Sequence, residues 1–196
     1  HKKILFYQDK KHRKCAVRIL TYIQGNMYAK SKVNIAIEKS LGELLALQSK
    51  QLDSFMHRQA IRKFEWDPSN IRWVKKFINL FSGLKKNVII EAINHHEKFV
   101  QKNKRNLKYS VTHGDPNDYN IVVKNHKIVG LIDFGDSIYA PSINDLAIAL
   151  AYALMKSQNL FDTLRNIISS YNKINPIRDD EIYSLLGLVK SRLAIT

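Results

Sequence analysis

The chain has 196 residues, 45% of them hydrophobic, one cysteine, and a formal net charge of +15 from 32 Lys+Arg against 17 Asp+Glu. That length and apolar share exclude a disordered chain and suffice for one compact domain, or for one large lobe and part of another. A lone cysteine, Cys15, excludes an internal disulfide, and the longest uncharged apolar run, LAIALAYALM (Leu146 to Met155), is about half of what a bilayer-spanning helix needs.

Basic residues are spread over the chain, with one denser patch at Lys10, Lys11, Arg13 and Lys14. No aromatic-basic alternation accompanies it, so the charge reads as a solvated surface, with neither nucleic acid nor membrane as a partner. No charged start precedes a hydrophobic stretch and a small-residue cleavage site, and the expected compartment is the cytoplasm.

In chain order, KKILFY (Lys2 to Tyr7), the polar tip QDKKHRK and CAVRILTYI (Cys15 to Ile23) place two apolar runs around a turn and predict a β-hairpin that Gly25 ends. From Lys32 the apolar positions change period: Ile37, Leu41, Leu44 and Leu45 predict an amphipathic helix. After a loop containing FEWDPSN (Phe64 to Asn70), a second helix is marked by Ile71, Val74, Phe77, Ile78 and Phe81, and a third by Ile89, Ile93, Phe99 and Val100. His95 and His96 on that third helix have no partner at metal-ligand spacing and read as surface residues.

Strands follow at YSVT (Tyr109 to Thr112), IVV (Ile121 to Val123) and KIVGLI (Lys127 to Ile132), with Asn125 at the turn between the last two. Pro141 and Ser142 are expected to open the next helix, Ser142 and Asp145 matching the Ser-x-x-Asp capping pattern, with Asp145 as a helix-terminal charge. Two further amphipathic helices are expected over Leu160 to Tyr171 and Ile182 to Leu193.

One constellation carries chemistry. His113-Gly114-Asp115 is followed by four residues and Asn120, and thirteen residues further by Asp133 in Asp133-Phe134-Gly135. Phosphoryl transfer needs a carboxylate facing the attacking hydroxyl and oxygen ligands for a hard cation, and the H-R-D-x-x-x-x-N and D-F-G motifs of protein kinases supply them in this order. Asn120 begins one predicted strand and Asp133 ends its antiparallel neighbour, which brings both side chains to one end of a hairpin. His113 fits a residue that braces the loop.

HGD in place of HRD, with IDFGD (Ile132 to Asp136), resembles the aminoglycoside phosphotransferase and choline kinase superfamily. NDYN (Asn117 to Asn120), GLIDFGD (Gly130 to Asp136) and DLAIALAYALM (Asp145 to Met155) resemble its hydroxylysine kinase branch, which also includes domains fused to class III aminotransferases. The resemblance implies an α+β, protein-kinase-like fold: a helical C-terminal lobe with a short catalytic β-hairpin, plus a remnant hairpin of the N-terminal lobe. Residues 1–25 would be the end of the N-lobe sheet and the hinge, and residues 26–196 the C-lobe, with a catalytic loop at 113–120 and a metal loop at 132–136.

The same resemblance implies Asp115 as base, Asn120 and Asp133 as Mg2+ ligands, and the backbone of Thr21, Tyr22 and Ile23 against the base of ATP or GTP. The acceptor would be a small hydroxyl compound such as 5-hydroxylysine. Asp118 and Asp136 flank the site, and their charge suits an amine on that acceptor. The phosphate-covering hairpin and its strand Lys have no counterpart, so the chain is expected to be incomplete at both ends and inactive alone, with an aminotransferase fusion one form of the parent. A non-catalytic kinase-like binding domain is the competing reading. A protein kinase is disfavoured because too little chain separates DFGD from the next helix for an activation loop.

Overall fold

The computed structural model describes residues 4–196. Lys2 and Lys3, which the reading above places at the start of the first strand, lie outside that range. The expected hairpin forms from β1 (Leu5–Gln8) and β2 (Lys14–Val17), with Leu5 opposite Val17 and Gln8 opposite Lys14. Its tip is organised by Asp9, whose carboxylate accepts from the backbone N–H groups of Lys11 (2.8 Å) and Arg13 (3.0 Å) and from Arg13 Nε (2.7 Å). Those bonds hold the Asp9 carboxyl below its usual range. Leu5, Phe6, Tyr7 and Val17 remain exposed, and the hairpin adds no residue to either buried cluster.

After Gly25, β3 (Asn26–Met27) pairs with β5 (Ile121–Lys124), which pairs in turn with β6 (Lys127–Leu131). Two residues are too short for alternation to announce a strand, so β3 has no sequence signature. The β5–β6 turn has positive φ at both central residues, Asn125 (49°) and His126 (59°), the backbone of a type I′ hairpin turn.

Helix α1 (Ile35–Leu52) starts where Asn34 Oδ1 accepts from Ile37 N at 3.0 Å, and it buries Ile37, Leu41 and Leu45 on one stripe. It packs on α4 (Leu160–Ile174) at Gly42, where a Cβ would lie 2.2 Å from the Ile167 carbonyl oxygen. Behind them α3 (Asn144–Lys156) is buried along most of its length. Fully burying its Leu146, Ile148 and Leu150 contributes roughly 1.5–3 kcal/mol each. Helix α5 (Asp179–Ile195) covers the far side of α3.

Three expectations need correction. The second helix is a nine-residue 3-10 helix, Arg72–Leu80, not an α-helix. Ile71, Val74, Phe77 and Leu80 recur every third residue, the period at which 3-10 side chains stack. The third runs as α2 (Gly83–His95) and then a π-helical segment, His96–Gln101, that turns His96 fully into the interior; it is not a surface residue. Finally, Pro141 does not open a helix but ends β7 (Ile138–Pro141), which pairs with β4 (Tyr109–Thr112). α3 begins at Asn144, and Ser142 Oγ bonds Ser110 Oγ at 2.8 Å instead of capping it. No helix among the described residues is long and apolar enough to cross a membrane.

Candidate active site

The β5–β6 hairpin sets the site. Ile121 lies opposite Leu131, and one step beyond, Ile132 N donates to the Asn120 carbonyl at 2.9 Å. Asn120 and Asp133 therefore leave the hairpin at the same end, as the spacing predicted. The Ile132 carbonyl is in turn held by His113, whose Nε2 donates to it at 2.9 Å. Since Asp115 N points at His113 Nδ1 (3.2 Å), the ring carries its proton on Nε2 and accepts at Nδ1. His113 is fully buried, with the Phe134 ring 4.5 Å away. It ties the 113–120 loop to the 132–136 loop, the bracing placement that its sequence context suggested.

A second brace comes from Asp145, whose role the sequence reading missed. It does lie in the first turn of α3, but its carboxylate accepts from the backbone N–H groups of His113 (2.8 Å) and Gly114 (3.0 Å) and from Gln48 Nε2 (2.8 Å). Burial pushes this carboxyl above its ordinary range, against those three donors. Gly114 is required between them: its φ is +88°, and a Cβ would meet the Asp136 carbonyl oxygen at 2.2 Å.

Asp115 is held from two sides. Arg192 Nη2 donates to Oδ1 at 2.6 Å, and Asn117 Nδ2 donates to Oδ2 at 2.6 Å. Asn117 is itself fixed, since its Oδ1 accepts from Tyr119 N (2.8 Å) and Asn120 N (3.1 Å). Asn120 Nδ2 donates to the Asp115 carbonyl at 2.9 Å, leaving its Oδ1 as the acceptor end of the amide. Asp133 adopts a left-handed backbone conformation, φ 63°, and its exposed carboxylate accepts only locally, from Gly135 N at 3.3 Å. Aspartate tolerates this region better than most residues, because its short polar side chain can bond to the nearby backbone.

No three His, Cys, Asp or Glu side chains converge as a metal cage among the described residues. The chemistry of the donors fits a hard cation even so: one carboxylate and one amide oxygen, with the other ligands left to water and phosphate oxygens, is how Mg2+ is commonly held.

The remaining candidates are dispersed. Thr21, Tyr22 and Ile23 lie in a segment without regular structure; Tyr22 is 80% exposed, and Ile23 lies over Gly130, where a Cβ would meet its Cδ1 at 2.6 Å. The Asp118 carbonyl accepts from Ala29 N at 2.8 Å, and its carboxylate is close enough to Tyr28 to help raise that phenol's pKa, after burial and Glu38. Asp136 is paired loosely with Arg62, at 3.9 Å. A mainly apolar groove of about 850 Å3 is lined by Phe77, Leu84, Val88 and Leu193, and by none of Asp115, Asn120 and Asp133.

Arg192 and Asp145 had detectable signals. Arg192 falls on the apolar stripe Leu185, Leu188, Val189 and Ile195 of its helix, and a cation on such a stripe must find a partner. Asp145 stands directly before the ten-residue apolar run, where burial is expected on both sides.

A family model described as "Phosphotransferase enzyme family" matches residues 3–166. Hydroxylysine kinase of Xenopus laevis is 28% identical over 198 residues, covering 93% of this chain and 53% of that protein. The Mus musculus hydroxylysine kinase is 27% identical over 192 residues, with 91% and 51% covered. The chain thus spans about half the length of the curated relatives it matches. Among solved structures, a microcompartment-associated aminopropanol kinase superposes with a TM-score of 0.71 at 12% identity, over 98% of this chain and 63% of that one. Amicoumacin kinase hAmiN, in complex with AMP-PNP, Ca2+ and Ami, gives 0.63 at 13% identity, over 99% and 63%. At these identities the superpositions show the fold, which is α+β and protein-kinase-like as expected.

Proposed function

Because the chain belongs to the phosphotransferase enzyme family, we propose that it carries the metal- and acceptor-holding half of a small-molecule kinase. The reaction moves the terminal phosphate of Mg2+-bound ATP or GTP to a hydroxyl of a small, amine-bearing acceptor such as 5-hydroxylysine. The observation that carries this reading is that Asn120 and Asp133 leave one end of the β5–β6 hairpin, fastened through both backbone groups of Ile132, while the Asn120 amide is bonded to the backbone carbonyl of Asp115. The hydroxylysine kinases among its relatives support the choice of acceptor.

In this mechanism the acceptor hydroxyl donates to the Asp115 carboxylate and its oxygen attacks the γ-phosphorus. The bond from that phosphorus to the β–γ bridging oxygen breaks, the nucleoside diphosphate leaves, and the hydroxyl proton passes to Asp115. Asn120 Oδ1 and Asp133 are the residues that would hold Mg2+, which when bound offsets charge on the nucleotide phosphates. The backbone of Thr21, Tyr22 and Ile23 faces the nucleotide base, and Asp118 and Asp136 supply negative charge toward the acceptor's amine.

The test is to follow ATP and GTP consumption by the complete protein against hydroxylysine, aminoglycosides, choline and ethanolamine. Asp115→Asn lowers kcat by at least about 100-fold, in the range for loss of a positioned base. Asp118→Asn and Asp136→Asn raise the KM of the amine acceptor. Unchanged turnover in Asp115→Asn would falsify the assignment.

A further inference from the structure

We propose that Arg192 is the positioning residue for Asp115, acting through the carboxylate and not on the substrate. The inference rests on the functional reading above. Arg192 comes from the last turns of α5, 77 residues after Asp115, and its side chain is 3% exposed. Its guanidinium is fixed by three separate parts of the fold. Nη2 donates to Asp115 Oδ1 and, at 2.9 Å, to Tyr152 Oη on α3, while Nη1 donates to the Trp66 carbonyl at 3.2 Å. The Trp66 and Tyr152 rings lie 5.4 Å from it, at cation–π distance. The cation therefore cannot follow Asp115; Asp115 must follow it.

Asn117 alone would grip one carboxylate oxygen and leave the group free to rotate. With Arg192 on Oδ1 and Asn117 on Oδ2, the carboxylate plane is set, and each oxygen keeps lone-pair capacity for an incoming hydroxyl. Stability does not account for the arrangement. A buried guanidinium is expensive to desolvate, and a Leu or Met would fill the same place on the apolar stripe. What the position gains from arginine is a planar fork that reaches Asp115 and Tyr152 together.

The experiment uses steady-state kinetics of the complete protein with Arg192→Met, Arg192→Lys and Arg192→Ala, and Asp115→Asn as reference. Arg192→Met lowers kcat about 100-fold, the size of effect that misplacing a reacting group produces, while both KM values stay within about threefold. Arg192→Lys keeps a buried charge but loses the fork, and its kcat falls about tenfold. Millimolar guanidinium raises the turnover of Arg192→Ala several-fold and does nothing for Asp115→Asn. A wild-type kcat in Arg192→Lys overturns the proposal even if the methionine variant does not fold. So does a loss that resides in acceptor KM alone, or an alanine variant that is folded, slow and not rescued. Full turnover in Asp115→Asn would instead remove the functional reading and leave Arg192 with nothing to position.

Discussion

His96 shows how a single side chain can set a pH response. Its Nδ1 faces Ser191 Oγ at 3.1 Å, and that hydroxyl already donates to the Gly187 carbonyl. Its Nε2 faces the Gln101 amide nitrogen at 2.9 Å, so the ring donates at Nδ1 and accepts at Nε2. A second proton would meet the Gln101 donor in a fully buried site. Burial accordingly depresses the His96 pKa from 6.5 to about 4; Glu97 opposes this, and Lys104, Arg72 and Lys75 reinforce it. Between those values the unfolded chain binds the proton and the folded one does not. The contribution to stability is thus present above pH 6.5 and is lost as pH falls toward 4, up to about 3 kcal/mol. Urea midpoints taken from pH 7 to pH 4.5 should fall, and His96→Gln should flatten the slope. Glu97, held down to about 2 by Arg72 and then Lys75, acts in a separate window below pH 4.5. A midpoint independent of pH between 7 and 4.5 contradicts the burial argument.

Helix packing supplies the next prediction, at the α1–α4 contact. Replacing Gly42 by Ala in an isolated helix is favourable by about 1 kcal/mol. In this fold the new Cβ would lie 2.2 Å from the Ile167 carbonyl oxygen and 3.0 Å from Tyr171 N, both backbone atoms that cannot step aside alone. The overpacking term, typically 1–3 kcal/mol, decides the sign. Gly42→Ala therefore destabilises the protein in urea denaturation, against its helix propensity. A stabilised variant would mean that the two helices separate freely. The 3-10 segment Arg72–Leu80 is held more loosely, since only Ile71 and Val74 are buried there, with Trp73 and Ile78 packed against them and Phe77 and Leu80 exposed.

The larger of two buried clusters, formed by α1, α3, α4, α5 and the β5–β6 hairpin, is the one beneath the site. The β1–β2 hairpin stands outside both. Mutations should divide accordingly. Leu146→Ala, at a fully buried position, costs about 2–5 kcal/mol, whereas Phe6→Ala on the exposed hairpin stays within about 0.5 kcal/mol. Thermal or urea unfolding of the two variants checks this, and a Phe6→Ala loss as large as that of Leu146→Ala would place the hairpin in the cooperative unit.

The spacing of Asn120 and Asp133 along the chain was enough to place them at one end of the β5–β6 pair, because a two-stranded hairpin fixes which residues share an end. The same locality made the β5–β6 turn, α1, α4 and α5 readable, since period and turn chemistry are properties of neighbouring residues. It also narrowed the family through NDYN and IDFGD. What holds these motif residues in place was not local. Asp145 reaches back 32 residues to the His113 amide, and Arg192 reaches 77 to the Asp115 carboxylate. Only the packing of α3 and α5 against the loop determines that a helix-terminal aspartate and an arginine on an apolar stripe become its braces. The sequence motif thus carries the proposed reacting groups, while the tertiary fold, through Arg192 and Asn117, holds the Asp115 carboxylate among them.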